Sequence, residues 1–435
     1  MDKNIRVVWI CHFSNKEIRS KIPLSKRKLI NTLRTFLGRS AYKYNDFAPW
    51  ITNQIKEFEK FKNIELHVIA PMSGMKPLLY NFKMRGVFYH FFKPDLPFIH
   101  MTIPAKGKFQ SMFLKNRFMV NRLIKRIKPD IVNLIGTENP YYSITALDIK
   151  GIPVYVSAQT VFSNPIRYQY SNYIPQLNWE LELKIHAKIR YYGCQGRMHR
   201  DLIIQHNPEA IIMKNIFPIE IPKQIKQCPK KYDYVFFAGL AKQKGVEDLI
   251  EALSLVKKYK SDVTLNIVGT CQQDYKNELI SKINALELTE NIIFDDYFPV
   301  HSDMHQHIVQ SRIAVLPVKI DIIPSSVIEA ILLGLPVITY KTSGTPFLNK
   351  DGQSVLLGEI GDIETLSVNM INLLNNPGLS ESITENAKRI VEKEFNNTLS
   401  SKRIVDNYYA VINHYFHGVP IPENLLFNLE EFPHY

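Results

Sequence analysis

The feature that most constrains this chain is the regular pairing of short apolar runs with longer helical stretches. In the second half, YVFFAG (234–239) leads into a segment whose Val246, Leu249, Ile250, Leu253 and Val256 follow a helical period. VTLNIVG (263–269), NIIF (291–294), RIAVLPV (312–318) and LPVITY (335–340) then alternate with further helical segments. The first half opens on IRVVWICHF (5–13) and continues through IELHVIAP (64–71), DIVNLIG (130–136) and IPVYVSAQ (152–159). Strands so uniformly apolar are buried on both faces, which requires parallel sheets covered by helices. A chain of 435 residues exceeds one ordinary core, and the Pro- and Lys-rich stretch FPIEIPKQIKQCPKKYDY (217–234) reads as a linker. The expectation is an α/β protein of two doubly wound Rossmann-like domains, 1–220 and 221–400, with a helix and tail at 401–435 available to pack back on the first. Such sheets bind ligands at the carboxyl ends of their strands, so two facing domains place a site in a central cleft.

Charge is divided unevenly along the chain. Residues 1–220 hold 34 Lys+Arg against 15 Asp+Glu, and the remainder holds 20 against 26. An asymmetry of this size points to an anionic surface or ligand for the first half. It is concentrated in SKRKLINTLRTFLGRSAYKY (25–44) and KGKFQSMFLKNRFMVNRLIKRIK (106–128), where Leu, Phe and Met recur among the cations. Basic amphipathic segments of this kind lie on anionic membranes, although a core-facing helix with a solvated basic face has the same pattern. Apolar runs such as Ile331-Leu332-Leu333 are far too short to span a bilayer, and the N-terminus lacks a signal-peptide pattern. Cys11, Cys194, Cys228 and Cys271 are scattered without paired spacing, as reduced cytoplasmic thiols are. The expected location is cytoplasmic, peripheral on the inner face of the membrane. No nucleic-acid reader motif accompanies the basic half.

The stretch DIIPSSVIEAILLGLPVI (321–338) carries the most chemistry. Pro324 disfavours helix at Ile323, leaving Ser325 or Ser326 as N-cap of a helix from Val327 to about Leu333, closed by Gly334. Free amides at Ser326, Val327 and Ile328 would form an anion site at the positive end of the helix dipole. Ser326 to Glu329 also fits a capping box, in which Glu329 merely caps its own helix. Asp321 argues for more, because a capping box needs no second acid before the proline. A sugar nucleotide needs donors for its diphosphate and acceptors for its hydroxyls, and this junction offers both. In AGLAKQKGVEDLI (238–250), Lys244 precedes a helix N-terminus and suits an arriving anion. Lys242 shares that loop, Gly239 and Gly245 permit close approach, and Gly269-Thr270 forms a third loop on the same rim.

Together GLAKQKGVEDLIEAL, LNIVG, AVLPV, residues 321–338 and SGTPFLNKDGQSVLL resemble the second domain of the family-four retaining glycosyltransferases, which have the GT-B fold. The resemblance covers about residues 232–400 and is looser before them. It implies that Glu329 binds the ribose hydroxyls, that Asp321 lies by the donor sugar, and that Lys244 and the backbone from Pro324 through Ser325 and Ser326 to Val327 hold the diphosphate. Asp321 and Glu329 match the spacing of the family's two acids, with Asp where Glu is commoner. Three departures stand out. Ala238-Gly239-Leu240 lacks the usual Arg, Phe347 stands where Glu is often found, and Asn133 and Ile135 replace a His pair. For the acceptor side, Glu138, Asn139, Gln159, Thr160 and Arg197 sit at or beyond apparent strand ends.

The resemblance implies transfer from a nucleoside diphosphate sugar to a saccharide, expected to be lipid-linked, in surface-polysaccharide synthesis. Attack on the donor's own face, assisted by the leaving diphosphate, makes Asp321 no nucleophile. No Asp-x-Asp triplet occurs, in keeping with metal-independent transfer and no cofactor. HSDMHQH (301–307) offers His301, His305 and His307 to a metal, but falls on a surface helix in the family pattern. The competing functions are a GT-B sugar-nucleotide epimerase, a phosphorylase-like enzyme, and a catalytically degenerate membrane-associated partner subunit.

Overall fold

A computed structural model describes residues 4–25, 32, 36, 46–94, 113–164, 176–222, 225–226, 228–295, 298 and 300–432. Most of the basic segment 25–44, and 106–112 of the second, lie outside the described residues. The chain divides into two compact units. One comprises residues 1–194, 198–218 and 397–427, and the other 195–197, 219–396 and 428–435.

The first unit is built on an eight-stranded sheet in the order β3-β4-β2-β1-β5-β6-β7-β8. Its strands are β1 (Ile5–Ile10), β2 (Ile64–Pro71), β3 (Leu79–Met84), β4 (Val87–Phe92), β5 (Ile131–Ile135), β6 (Val154–Ser157), β7 (Tyr191–Cys194) and β8 (Ile211–Lys214). All pairings are parallel except the β3–β4 hairpin. That hairpin turns on Arg85 and Gly86, both at positive φ (47° and 85°), the two-residue geometry that suits strand twist. Alternation in LYNFKM, followed by Arg-Gly, was the sequence signal for it, and the four-strand reading of this half omitted it.

The helix Asn397–His417 belongs to this unit and closes its core. The hydroxyl of fully buried Tyr408 accepts from Trp9 Nε1 (3.0 Å) and Asn133 Nδ2 (2.6 Å). Asn133 in turn accepts from Ser157 Oγ at 3.0 Å, and Asn407 Nδ2 donates to the Tyr155 hydroxyl at 3.1 Å. Buried polar groups on three strands are thus satisfied from one helix, as burial away from water requires.

The second unit holds six parallel strands in the order β11-β10-β9-β12-β13-β14. These are β9 (Tyr232–Phe237), β10 (Leu265–Val268), β11 (Ile292–Asp295), β12 (Ser311–Leu316), β13 (Val337–Tyr340) and β14 (Leu356–Gly358). The chain runs from β9 outward to β11 and then resumes at β12 on the other side of β9. That reversal opens a crevice beyond the carboxyl ends of β9 and β12. Phe347, where the resembled family often has Glu, is buried and stacks on Phe432 of the tail at 4.6 Å between ring centroids. Among the described residues no helix is long and apolar enough to cross a membrane.

Candidate functional site

Three loops converge at the reversal point of the second sheet. The first follows β9, the second follows β10, and the third follows β12 and enters the helix Ser325–Leu332. Two glycines let the loops touch. Gly245 has φ +76°, and a Cβ there would lie 1.9 Å from the Pro317 carbonyl oxygen. Gly269 has φ +151°, and its Cβ would lie 2.0 Å from the carbonyl oxygen of Ala238. Only glycine fits either place. At Gly245 the close approach is to protein backbone rather than to a ligand, which corrects the expectation for that residue. The Lys319 amide also donates to the Gln243 carbonyl (2.9 Å), and Lys319 Nζ reaches Asp248 at 2.6 Å.

The loops enclose a pocket of about 390 Å³. Gly239, Lys244, Gly269, Thr270, Asp321, Pro324, Ser325, Ser326 and Glu329 all line it. Lys244 Nζ is 3.2 Å from Asp321, each side chain about one-third exposed. The ammonium therefore has a carboxylate partner, and an incoming diphosphate would exchange one anion for another.

The helix N-terminus differs from expectation in detail. Its N-cap is Pro324, with no side-chain capping bond, because the proline's φ of −62° and ψ of 134° already supply the extended entry that a cap residue adopts. The amides of Val327 and Ile328 return to the Pro324 carbonyl at 3.0 and 3.4 Å. The amides at the first two helical positions, Ser325 and Ser326, have no carbonyl one turn back within the helix, and both residues line the pocket. Neither serine is the N-cap, so the capping-box reading of Glu329 fails. Glu329 is buried and its Oε2 lies 3.4 Å from His305 Nε2.

Two expected donor residues do not line the pocket. Val327 is fully buried in the core. Lys242 sits two places before Lys244 on a tight 3₁₀ turn, which sends their side chains in different directions. It lies 3.9 Å from Glu278 with both side chains well exposed. Phe237, Val268, Phe298 and Met304, which carried no sequence signal, also line the pocket, as does His301, which the sequence offered only to a metal. The helix His301–Ile308 leaves His301 and Asp303 exposed, as a surface helix does, and turns His305 inward at 1% exposure. Glu220 lies 3.2 Å from His301 Nδ1, and this hydrogen bond holds the imidazole above the usual histidine range while burial opposes it. His307 turns away to Asp295 (2.9 Å) and Asn266 (3.1 Å).

In the first unit, the reversal point lies between β1 and β5, where His12 and the Gly136–Asn139 turn emerge. Glu138 and Gln159 meet there. The Gln159 amide, oriented to satisfy its neighbours, donates to Glu138 Oε1 (3.2 Å) and accepts from Trp50 Nε1 (2.9 Å). His12 is hydrogen-bonded to the Tyr141 hydroxyl at 2.5 Å, and burial lowers its pKa to about 4. Glu182, not singled out by sequence, accepts from Thr137 Oγ1 (2.8 Å) and the Phe162 amide (2.7 Å); burial raises its pKa to about 8. Asn139 is the N-cap of the short helix Pro140–Ser143, and Thr160 is half-buried beside Gln159. Arg197 groups with the second unit, apart from the other four.

Residues 219–390 match the family model described as Glycosyl transferases group 1. The matched stretch falls within the second unit, whose main segment is 219–396. An uncharacterised glycosyltransferase of Methanocaldococcus jannaschii is 23% identical over 388 residues, covering 84% of this chain and 90% of that protein. An uncharacterised glycosyltransferase of Haemophilus influenzae is 25% identical over 187 residues, 43% of this chain. The chain spans 49% of that relative's length. The capsular polysaccharide biosynthesis glycosyltransferase CapM of Staphylococcus aureus is 23% identical over 40% of this chain and 44% of its own. Among solved structures, sucrose-phosphate synthase of Thermosynechococcus elongatus superposes with a TM-score of 0.67 over 93% of this chain and 98% of its own, at 11% identity. Anabaena HepE, solved with UDP and glucose, gives 0.62 over 93% and 99% at 15% identity. These likenesses establish the GT-B fold with its two Rossmann-like domains.

Proposed function

We propose that the chain is a retaining glycosyltransferase that moves a sugar from a nucleoside diphosphate sugar to a lipid-linked saccharide in surface-polysaccharide synthesis. The observation that carries the reading is the pocket at the ends of β9, β10 and β12. It combines one ammonium group, two helix-terminal amides and two carboxylates inside the region matched by the group 1 family. The amides of Ser325 and Ser326 and the Lys244 ammonium suit a diphosphate, and stabilise the negative charge that grows on it as the glycosidic bond breaks. Glu329 suits paired ribose hydroxyls, because a carboxylate accepts two hydrogen bonds at once. Asp321 is placed to hold Lys244 until substrate arrives, and the reading needs neither a nucleophilic carboxylate nor a metal for transfer.

HepE was solved with UDP and with UDP-glucose, which makes uridine diphosphate sugars the first donors to test. CapM's role in capsular polysaccharide biosynthesis supports the polysaccharide part. Glu138 and Gln159, with Asn139 and Thr160, are assigned to the acceptor. Membrane association is supported by the helix Leu114–Ile127, whose exposed Leu114 and Phe118 share one side with exposed Arg122 and Lys125. The test is a panel of nucleotide sugars screened for thermal stabilisation, since a ligand that binds the folded chain raises the melting temperature, more so the tighter it binds at a given concentration. One sugar nucleotide should stabilise the wild type and fail to stabilise Glu329→Ala. Equal stabilisation of both proteins, or none of either, rejects the reading.

A further inference from the structure

The pocket wall offers a second set of ligand atoms that shares only Glu329 with the transfer reading. His301 and His305 stand one turn apart on the same face of the helix His301–Ile308, with ring centroids 5.0 Å apart. Glu329 reaches them from the helix Ser325–Leu332. One ligand atom from each of the three lies within 4.8 Å of the others. Two histidines at i and i+4 with a carboxylate from a facing element is a ligand set that suits zinc-type dications.

The finer geometry agrees. Ligands bound at about 2.0–2.1 Å around a tetrahedral ion lie about 3.3 Å from one another. The His305 Nε2 to Glu329 Oε2 separation is 3.4 Å, already that of one tetrahedral edge. Glu220, at 3.2 Å from His301 Nδ1, takes that nitrogen's proton in a hydrogen bond and leaves Nε2 as the lone pair. A carboxylate behind a histidine is the outer support that orients metal-bound imidazoles. His307, the third histidine of the run, is committed elsewhere. With three protein ligands the fourth position opens on the pocket, because His301 and Glu329 both line it.

We propose that His301, His305 and Glu329 form a site for one zinc-type dication whose occupancy takes Glu329 away from the nucleotide and so inhibits donor binding. The cation site stands on the geometry alone, while the competition rests on the sugar-nucleotide reading.

The test is equilibrium dialysis of the full chain against zinc chloride at pH 8, with bound metal measured by mass spectrometry. One zinc per chain is expected, held at least about tenfold more weakly by His301→Ala and His305→Ala. His301 is half-exposed, so its variant retains the fold even if the buried His305 variant does not. Cobalt added in place of zinc should give the visible bands of a tetrahedral nitrogen and oxygen site in wild type alone. Stoichiometric zinc binding unchanged in His301→Ala, or none in wild type, overturns the site. UDP binding is then measured with and without zinc in wild type and His301→Ala, so that chelation of zinc by UDP itself is common to both. Zinc should weaken UDP binding about tenfold in wild type and leave the variant's ratio near one. An equal ratio in both proteins overturns the competition. If UDP and UDP-sugars fail to bind the zinc-free wild type, the transfer reading falls, while the dialysis result still decides the cation site.

Discussion

Lys244 Nζ lies 3.2 Å from a carboxylate oxygen of Asp321, its partner 77 residues along the chain. Both side chains keep about one-third of their exposure, so the pair is worth no more than ~1 kcal/mol to stability. Its value is expected in catalysis. Lys244→Ala should lower transfer about 10²–10³-fold, the cost of removing one preorganised donor from developing charge. Its melting temperature should barely move. Asp321→Asn should raise affinity for the free nucleoside diphosphate, since the ammonium no longer has a competing anion, while transfer falls. Steady-state kinetics alongside product-inhibition constants check both, and an unchanged kcat in Lys244→Ala would remove the lysine from the machinery.

The helix N-terminus permits a backbone experiment. Ser325 is the first helical residue, where proline is well tolerated because that amide has no intrahelical partner. Pro324, at φ −62° and ψ 134°, already has the extended conformation required before another proline. Ser325→Pro therefore deletes one amide donor and leaves the helix intact. A hydrogen bond to a charged group is worth about 1.5–3 kcal/mol, so UDP affinity should fall roughly 10- to 100-fold with no loss of melting temperature. Calorimetry and a melt on the same sample separate the outcomes. Unchanged affinity would place the phosphates away from this helix.

Why some of this was readable from sequence follows from topology. Gly239, Gly269 and Asp321 each follow a strand, and in a parallel sheet every such position lies on one rim. Reading the strands therefore placed the loops together before any contact was known. Contacts between helices were not readable in this way. The His305–Glu329 approach joins two helices 24 residues apart, and nothing local shows that the helix from His301 turns His305 inward. The N-cap, expected at Ser325 or Ser326, lies one or two residues earlier because the conformation that proline enforces outweighs serine's preference for that position. Lys242 was misplaced because loop membership does not give side-chain direction. Glu182 carried no motif at all, since its partners Thr137, Phe162 and Ser163 come from separate loops.

The closing helix of the first unit should be indispensable to it. Removing the Tyr408 hydroxyl leaves Trp9 Nε1 and Asn133 Nδ2 as buried donors without their acceptor. Each such loss costs about 1–3 kcal/mol, so Tyr408→Phe should destabilise the first unit by about 2–6 kcal/mol. Chemical denaturation followed by tryptophan fluorescence reads this, because Trp9, Trp50 and Trp179 all lie in the first unit. A loss below about 0.5 kcal/mol would mean that water or a rearranged Asn133 replaces the hydroxyl.

The acid–base behaviour of stability should separate Glu182 from the buried histidines. Burial holds the Glu182 carboxyl up to about 8 from 4.5, despite donors from Thr137, Phe162 and Ser163, and the nearby Glu138 carboxylate raises it further. Between those values the folded chain keeps a proton that the unfolded chain has released. Stability therefore falls with rising pH across that window, by up to ~1.4 kcal/mol per unit. His12 and His90, lowered to about 4, and His186, lowered to about 3, act in the opposite sense. Their unfolded forms bind protons that the folded forms refuse, so their contribution rises with pH up to about 6.5 and then stops. Above about pH 6.5 these histidines no longer contribute, and His301, which Glu220 holds above the usual range and which acts in the same sense as Glu182, is removed by working in a His301→Ala background. Between about pH 6.5 and 8, denaturation midpoints should decline in His301→Ala and stay flat when Glu182→Gln is added to it. The amide lowers stability everywhere, because it sets donors against donors at Phe162 and Ser163, but the slope is independent of that offset. A decline of unchanged steepness after Glu182→Gln is added to His301→Ala would assign the proton to another group and leave Glu182 ionised in the fold.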